Sequence, residues 1–127
     1  MRKKRWTVGV DVDGVLHSYV SGWQGADVLP DAPVPGAIEW LEEITREFDV
    51  AIVSTRCNCS EGREAVRAWL VEHGLSERAL ACVFTGAGKG AALLYVDDRA
   101  WRFTGDNWPS VSDIHTSHPW WKGPQSA

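Results

Sequence analysis

The densest chemistry in the chain sits in two short acidic runs, Asp11-Val12-Asp13 and Asp97-Asp98. Each follows an apolar stretch, Thr7-Val8-Gly9-Val10 in the first case and Leu93-Leu94-Tyr95-Val96 in the second. A third such stretch, Val50-Ala51-Ile52-Val53, ends in the hydroxyls Ser54-Thr55. Short apolar runs of this kind read as buried strands, here ending in polar groups. Alternate residues point the same way along a strand, so Asp11 and Asp13 are expected to share an approximate direction. Carboxylates gathered at strand ends repel one another and resist desolvation. A bound divalent cation removes that conflict, and all-oxygen ligands favour magnesium. The expectation is therefore one cleft into which Asp11, Asp13, Asp97 and Asp98 open around one Mg2+.

The elements that must position these groups follow from the pattern. Residues 6–11 form the first strand. Residues 14–35 carry Gly14, Gly22, Gly25, Pro30, Pro33 and Pro35 and read as a long irregular connection. From Gly36 the period becomes helical, with Trp40, Leu41, Ile44 and Phe48 on one face and Glu39, Glu42, Glu43 and Arg46 on the other. Residues 49–54 are the second strand. Ser60 is expected to cap a second helix with Glu61 and Glu64 in its first turn, burying Val66, Trp69 and Leu70 and stopping at Gly74. Leu80-Ala81-Cys82-Val83-Phe84 is the third strand and residues 93–96 the fourth. This order is that of an open parallel α/β sheet, whose ligands sit beyond the carboxyl ends of the strands where the strand order reverses.

Composition narrows the class. The 127 residues suffice for one domain and one core, and 44% apolar with 24% charged residues is globular. A net charge of −4 argues against a general nucleic-acid binder. The basic run Arg2-Lys3-Lys4-Arg5 reads as a solvated start to the first strand. Asp11 and Asp13 interrupt the apolar run a secretory signal needs, and no stretch approaches a membrane span, so a cytoplasmic protein without a membrane partner is expected. Three cysteines, Cys57, Cys59 and Cys82, form no disulfide framework and read as reduced thiols. Gly86-Ala87-Gly88-Lys89-Gly90 lacks the spacing and the final hydroxyl of a P-loop.

Together the motifs resemble the haloacid dehalogenase-like (HAD) superfamily. Asp11-Val12-Asp13-Gly14-Val15-Leu16 is similar to its first motif and Ser54, closing its strand, to its second. Lys89 fits the third, and Tyr95-Val96-Asp97-Asp98 the fourth, in the family's order. The resemblance implies a three-layer, Rossmann-like core over residues 1–110, followed by a tryptophan-containing tail at 111–127. The intervals between motifs are too short for the separate cap domain many members carry. It also implies a Mg-dependent phosphomonoester hydrolase. Asp11 would attack phosphorus and become an aspartyl phosphate, while Asp13 protonates the leaving oxygen and then activates water. Metal ligands would be the Asp11 side chain, the Asp13 backbone carbonyl and Asp98, with Asp97 beside them. Ser54 would hydrogen-bond the phosphoryl group and Lys89 offset its charge.

Several neighbours complete the candidate site. Thr55 and Arg56 follow Ser54 and are candidate substrate contacts, although an outward, solvated Arg56 reads equally well. His17 reads as a loop histidine hydrogen-bonded locally, and Arg99 as a counter-charge to Asp97 or a structural cap. Eight tryptophans are many for this length. Trp40 and Trp69 belong to the core. Trp23 either stacks on a base or aromatic leaving group or pins its loop to the body. Trp108, Trp120 and Trp121 latch the tail onto the domain or onto a second copy, making a homo-oligomer. Expected substrates are phosphorylated small molecules or nucleotides, with a nucleic-acid end disfavoured by charge. The alternatives are a nucleotide or polynucleotide-end phosphatase, and a non-catalytic binding or assembly protein on the same fold. A signalling receiver domain would place its acid pair before its lysine, the reverse of the order here.

Overall fold

β1 (Thr7–Val10) is a short run of small and β-branched residues buried at three of its four positions, as a strand with neighbours on both sides requires. In the computed structural model, which describes residues 5–86 and 91–122, β1 pairs in parallel with β2 (Asp49–Ile52), Val10 opposite Ile52. On its other side it pairs in parallel with β4 (Tyr95–Val96), Val10 opposite Val96. β3 (Val83–Phe84) lies beyond β2, so the order is β3-β2-β1-β4 with every pair parallel. The chain leaves β1 toward β2 and β3, and only then crosses to β4 on the opposite flank. The order therefore reverses between β1 and β4, which opens a crevice at their carboxyl ends. The expected α/β class and parallel sheet are present.

Between β1 and α1 (Ala37–Ile44) the chain makes only isolated bridges, Asp13 with His17 and His17 with Pro33. α1 buries Leu41, while Trp40, Ile44 and Phe48 pack against the core partly buried. Phe48 lies past the end of α1, on the turn into β2, with its N–H donating to the Ile44 carbonyl at 2.8 Å. α2 (Ser60–Glu72) buries Val66, Trp69 and Leu70 as its pattern predicts and ends before Gly74, whose φ is 98°. Its cap position is Cys59 rather than Ser60, with no side-chain cap bond.

The third strand is shorter than its apolar run because Ser76 starts a helical turn, α3 (Glu77–Leu80), its hydroxyl accepting from the Ala79 N–H at 3.2 Å. Glu77 in that first turn complements the dipole. Leu80 is thus helical and the strand begins at Val83. Arg5 also departs from a simple solvated start: its guanidinium meets the Thr45 and Phe48 carbonyls and pairs with Asp49 at 3.4 Å.

The core gathers Val8, Val10, Val12, Leu16, Leu41, Val50, Ile52, Val66, Leu70 and Val83. Each contributes about 1.5–3 kcal/mol by leaving water. The segment after β4 is largely exposed, with Trp108 packed on Phe103 at 4.3 Å between ring centroids. α4 (Val111–Thr116) begins with a capping box between Ser110 and Asp113 and buries nothing. A final 3-10 turn, Trp120–Lys122, returns to the strand ends. Among the described residues no helix is long and apolar enough to cross a membrane.

Candidate functional site

Asp11 is the first residue beyond β1, and its N–H donates to the Val96 carbonyl at 3.0 Å. That ladder bond carries the end of β1 alongside the end of β4, where Asp97 and Asp98 follow. One carboxylate oxygen from each of Asp11, Asp97 and Asp98 lies within 4.8 Å of the others. Burial pushes the Asp11 carboxyl up to about 7, and repulsion from Asp97 and Asp98 adds to the rise, against a hydrogen bond from the Val12 N–H. Asp97 Oδ1 accepts from the Arg99 N–H at 2.7 Å. Asp98 Oδ2 accepts from the Trp121 indole at 2.5 Å, while Asp98 Oδ1 is buried with no hydrogen-bond partner among the described residues. Three carboxylates, one of them reluctant to ionise, and an orphaned buried acceptor fit a hard divalent cation by donor chemistry and by charge.

The glycine after Asp13 is a steric requirement of this cluster. Gly14 has φ 83°, and a Cβ there would overlap both Asp98 Oδ2 and Trp121 Nε1. No other residue type permits so close an approach.

The Asp13 side chain departs from the expectation that it shares the cation. It belongs to a second network, in which Arg56 Nε donates to both its oxygens at 3.1 and 2.8 Å and His17 Nδ1 lies 2.9 Å from Oδ1. The Asp31 N–H donates to His17 Nε2 at 3.1 Å, so the ring proton sits on Nδ1 and points at Asp13. Burial raises the Asp13 carboxyl, but the hydrogen bonds from His17 and Arg56 and the Arg56 charge outweigh it and hold it below its ordinary value. The cause of the reorientation is Arg56. Expected as a substrate contact or a solvated side chain, it is fully buried instead. Its Nη1 donates to the carbonyls of Gly25, Ala26 and Val28 at 2.8–3.0 Å. Its position is set by a 3-10 turn, Thr55–Asn58, in which the Arg56 N–H donates to Ser54 Oγ at 3.2 Å. Arg56 thereby ties the long 11–36 connection to the end of β2.

A cleft of about 490 Å³ opens over these groups. Asp11, Asp13 and Asp97 form its acidic floor, and Ser54, Thr55 and Asn58 one polar wall. Since Ser54 Oγ accepts from Arg56, its own hydroxyl proton remains a donor. Tyr19, Trp23 and Arg99 complete the lining. Trp23 is 52% exposed and carries the Arg56 guanidinium 4.8 Å from its ring centroid, so it both pins the loop and borders the cleft. Lys89 lies outside the described residues. Two neighbours of the site escape the sequence reading in this role: Tyr19, which reaches the cleft through a left-handed backbone at φ 62°, and Trp121, expected only as a tail latch, as the partner of Asp98. In comparisons with protein-family models, curated proteins and solved structures, the chain found no match.

Proposed function

We propose that this chain is a HAD-like, magnesium-dependent phosphomonoester hydrolase with a three-layer core and Asp11 as its nucleophile. The observation that carries the reading is the convergence of Asp11 with Asp97 and Asp98 at the reversal point of the sheet, where Asp11 and Asp97 line the cleft. The four motifs in family order support it independently. Asp11, Asp97 and Asp98 would hold the Mg2+, with Asp13 contributing its backbone carbonyl by resemblance. When bound, the ion neutralises charge on the phosphoryl oxygens and keeps Asp11 ionised.

Asp11 then attacks phosphorus to give an aspartyl phosphate, with the P–O bond to the leaving group breaking in line and its oxygen departing as an anion that takes its proton from solvent. The Ser54 hydroxyl donates to a phosphoryl oxygen. Arg99 lines the same cleft and, with Lys89, offsets phosphoryl charge. Asp13, fixed as a carboxylate by Arg56 and His17, takes the proton of the water that cleaves the intermediate.

The test is phosphate release from an aryl phosphate with and without Mg2+. Asp11→Asn should remove turnover by a factor on the order of 10³ or more while circular dichroism stays native. A folded variant that keeps most of its magnesium-dependent rate takes Asp11 out of the role.

The aromatic pair Tyr19 and Trp23 in the cleft lining favours one narrower reading, a nucleotide as substrate. Trp23→Ala should then raise KM for a nucleoside monophosphate several-fold and leave KM for a sugar phosphate unchanged. Absence of turnover on every phosphate class would leave the non-catalytic assembly protein as the surviving reading.

A further inference from the structure

Two consecutive indoles reach the site from the last described turn of the chain. Trp120 Nε1 donates to the Gly14 carbonyl at 2.7 Å, next to Asp13, and Trp121 Nε1 donates to Asp98 Oδ2 at 2.5 Å. They hold the ends of both acidic runs, which are far apart in sequence. Trp121 is closely confined. It meets Tyr19 edge to face at 5.1 Å between centroids, the Arg99 guanidinium lies 5.7 Å from its ring, and Gly14 has no room for a Cβ against it.

From this geometry we infer that Trp121 is a positioning residue for the acid cluster, holding the Asp98 carboxylate by one oxygen so that the other serves the cation. The inference rests on the reading that Asp11, Asp97 and Asp98 hold a divalent ion. An indole N–H suits the task because it is neutral and donates only. A lysine there would orient Asp98 equally well but cancel the charge the cation needs. A water would leave the rotamer free. The orphaned Asp98 Oδ1 is the counterpart of this arrangement: one oxygen is committed to Trp121, and the buried other has no partner among the described residues. Partners of this outer kind fix ligand orientation, and their loss typically weakens metal binding about 10- to 100-fold.

The Trp121 ring also braces Tyr19, a wall of the substrate cleft, so its two functions separate by substitution. Trp121→Phe removes the donor and retains an aromatic edge for Tyr19, whereas Trp121→Ala removes both. Free Mn2+ measured by electron paramagnetic resonance over the full chain gives the affinity without any turnover. Trp121→Phe should bind Mn2+ about 10- to 100-fold more weakly than the wild type, and Trp108→Ala, altered on an exposed ring that packs on Phe103, should bind as the wild type does. Affinity of Trp121→Phe within twofold of the wild type overturns the positioning role and leaves the cation reading standing. A wild-type chain that binds no Mn2+ overturns both.

A second measurement needs no variant. The Trp121 indole N–H resonance of the wild type should move on titration with Mg2+ while that of Trp108 stays fixed. A Trp121 resonance unmoved at saturating Mg2+ overturns the inference even if Trp121→Phe does not fold.

Discussion

Asp11 and Asp13 are two residues apart yet have opposite electrostatics. Asp11 faces Asp97 and Asp98 and is pushed up to about 7, while Asp13 faces Arg56 and His17 and is held below its ordinary value. An acid that stays ionised at neutral pH is a good base for the attacking water and a poor proton donor to a leaving group. Turnover should therefore fall steeply as the leaving group becomes more basic, aryl phosphates outrunning alkyl phosphates by at least about tenfold in kcat/KM. Equal rates across a leaving-group series would mean that Asp13 protonates the leaving oxygen after all. The same network has a stability consequence. Arg56→Met removes the cation beside the partly buried Asp13 carboxylate and the guanidinium donor to three backbone carbonyls, leaving Asp13 only the His17 hydrogen bond, and should cost about 3–5 kcal/mol, read from the denaturant midpoint at constant slope. The acids that gather at the site were legible from sequence, because a carboxylate seldom closes a buried apolar run unless a ligand or a counter-charge receives it. The Arg56 bond to Asp13 was not, because it joins residues 43 apart through a turn whose curl no local pattern encodes.

That turn depends on the element following it. Gly62 sits in the first part of α2, where a Cβ would overlap the Arg56 carbonyl oxygen. Helix propensity alone makes Gly62→Ala favourable by about 1 kcal/mol. The clash is with backbone, so the turn must shift and take Arg56 from Asp13. The variant should be destabilised by about 1–3 kcal/mol despite its better propensity, checked by chemical unfolding. A stabilised Gly62→Ala would mean that the turn relaxes freely and does not position Arg56. The helices α1 and α2 were readable because their apolar stripes repeat over two or more turns. The third strand was misread in extent because Leu80-Ala81-Cys82-Val83-Phe84 is apolar in either conformation, and the Ser76 cap decides which part is helical. The close approach of α2 to the turn is written only as a glycine in a helix. That signal has several meanings until the neighbour is known.

For the molecule as a whole, gathering Asp11, Asp97 and Asp98 is a cost to folding that a bound cation would relieve, and the raised Asp11 fixes the sign of its pH dependence. The folded chain holds the Asp11 proton up to about pH 7, whereas the unfolded chain releases it near the ordinary value of 3.8. Between those limits the native state binds more protons, so its stability falls as pH rises. Asp13 works in the opposite sense, but its contribution is lost only as pH falls below the ordinary carboxylate range. From about pH 5 to 8 Asp11 therefore governs this region, and the metal-free chain should melt at a higher temperature near pH 5.5 than Asp11 repulsion allows near pH 8. Under the proposed metal site, magnesium should reverse the order. It would bind the ionised cluster, so its apparent affinity should weaken about tenfold per unit below pH 7 and level off above it. At about 100 times its Kd near pH 8 it should add about 2.7 kcal/mol, a rise of several degrees in Tm. Asp98→Asn removes one of the three charges, so the metal-free variant should melt above the wild type near pH 8 and respond little to Mg2+. Calorimetric melts of both chains at about pH 5.5 and 8, with and without Mg2+, check these values together. An equal Mg2+ shift at both pH values would mean that no proton leaves Asp11 on binding, and the cation would then lie elsewhere.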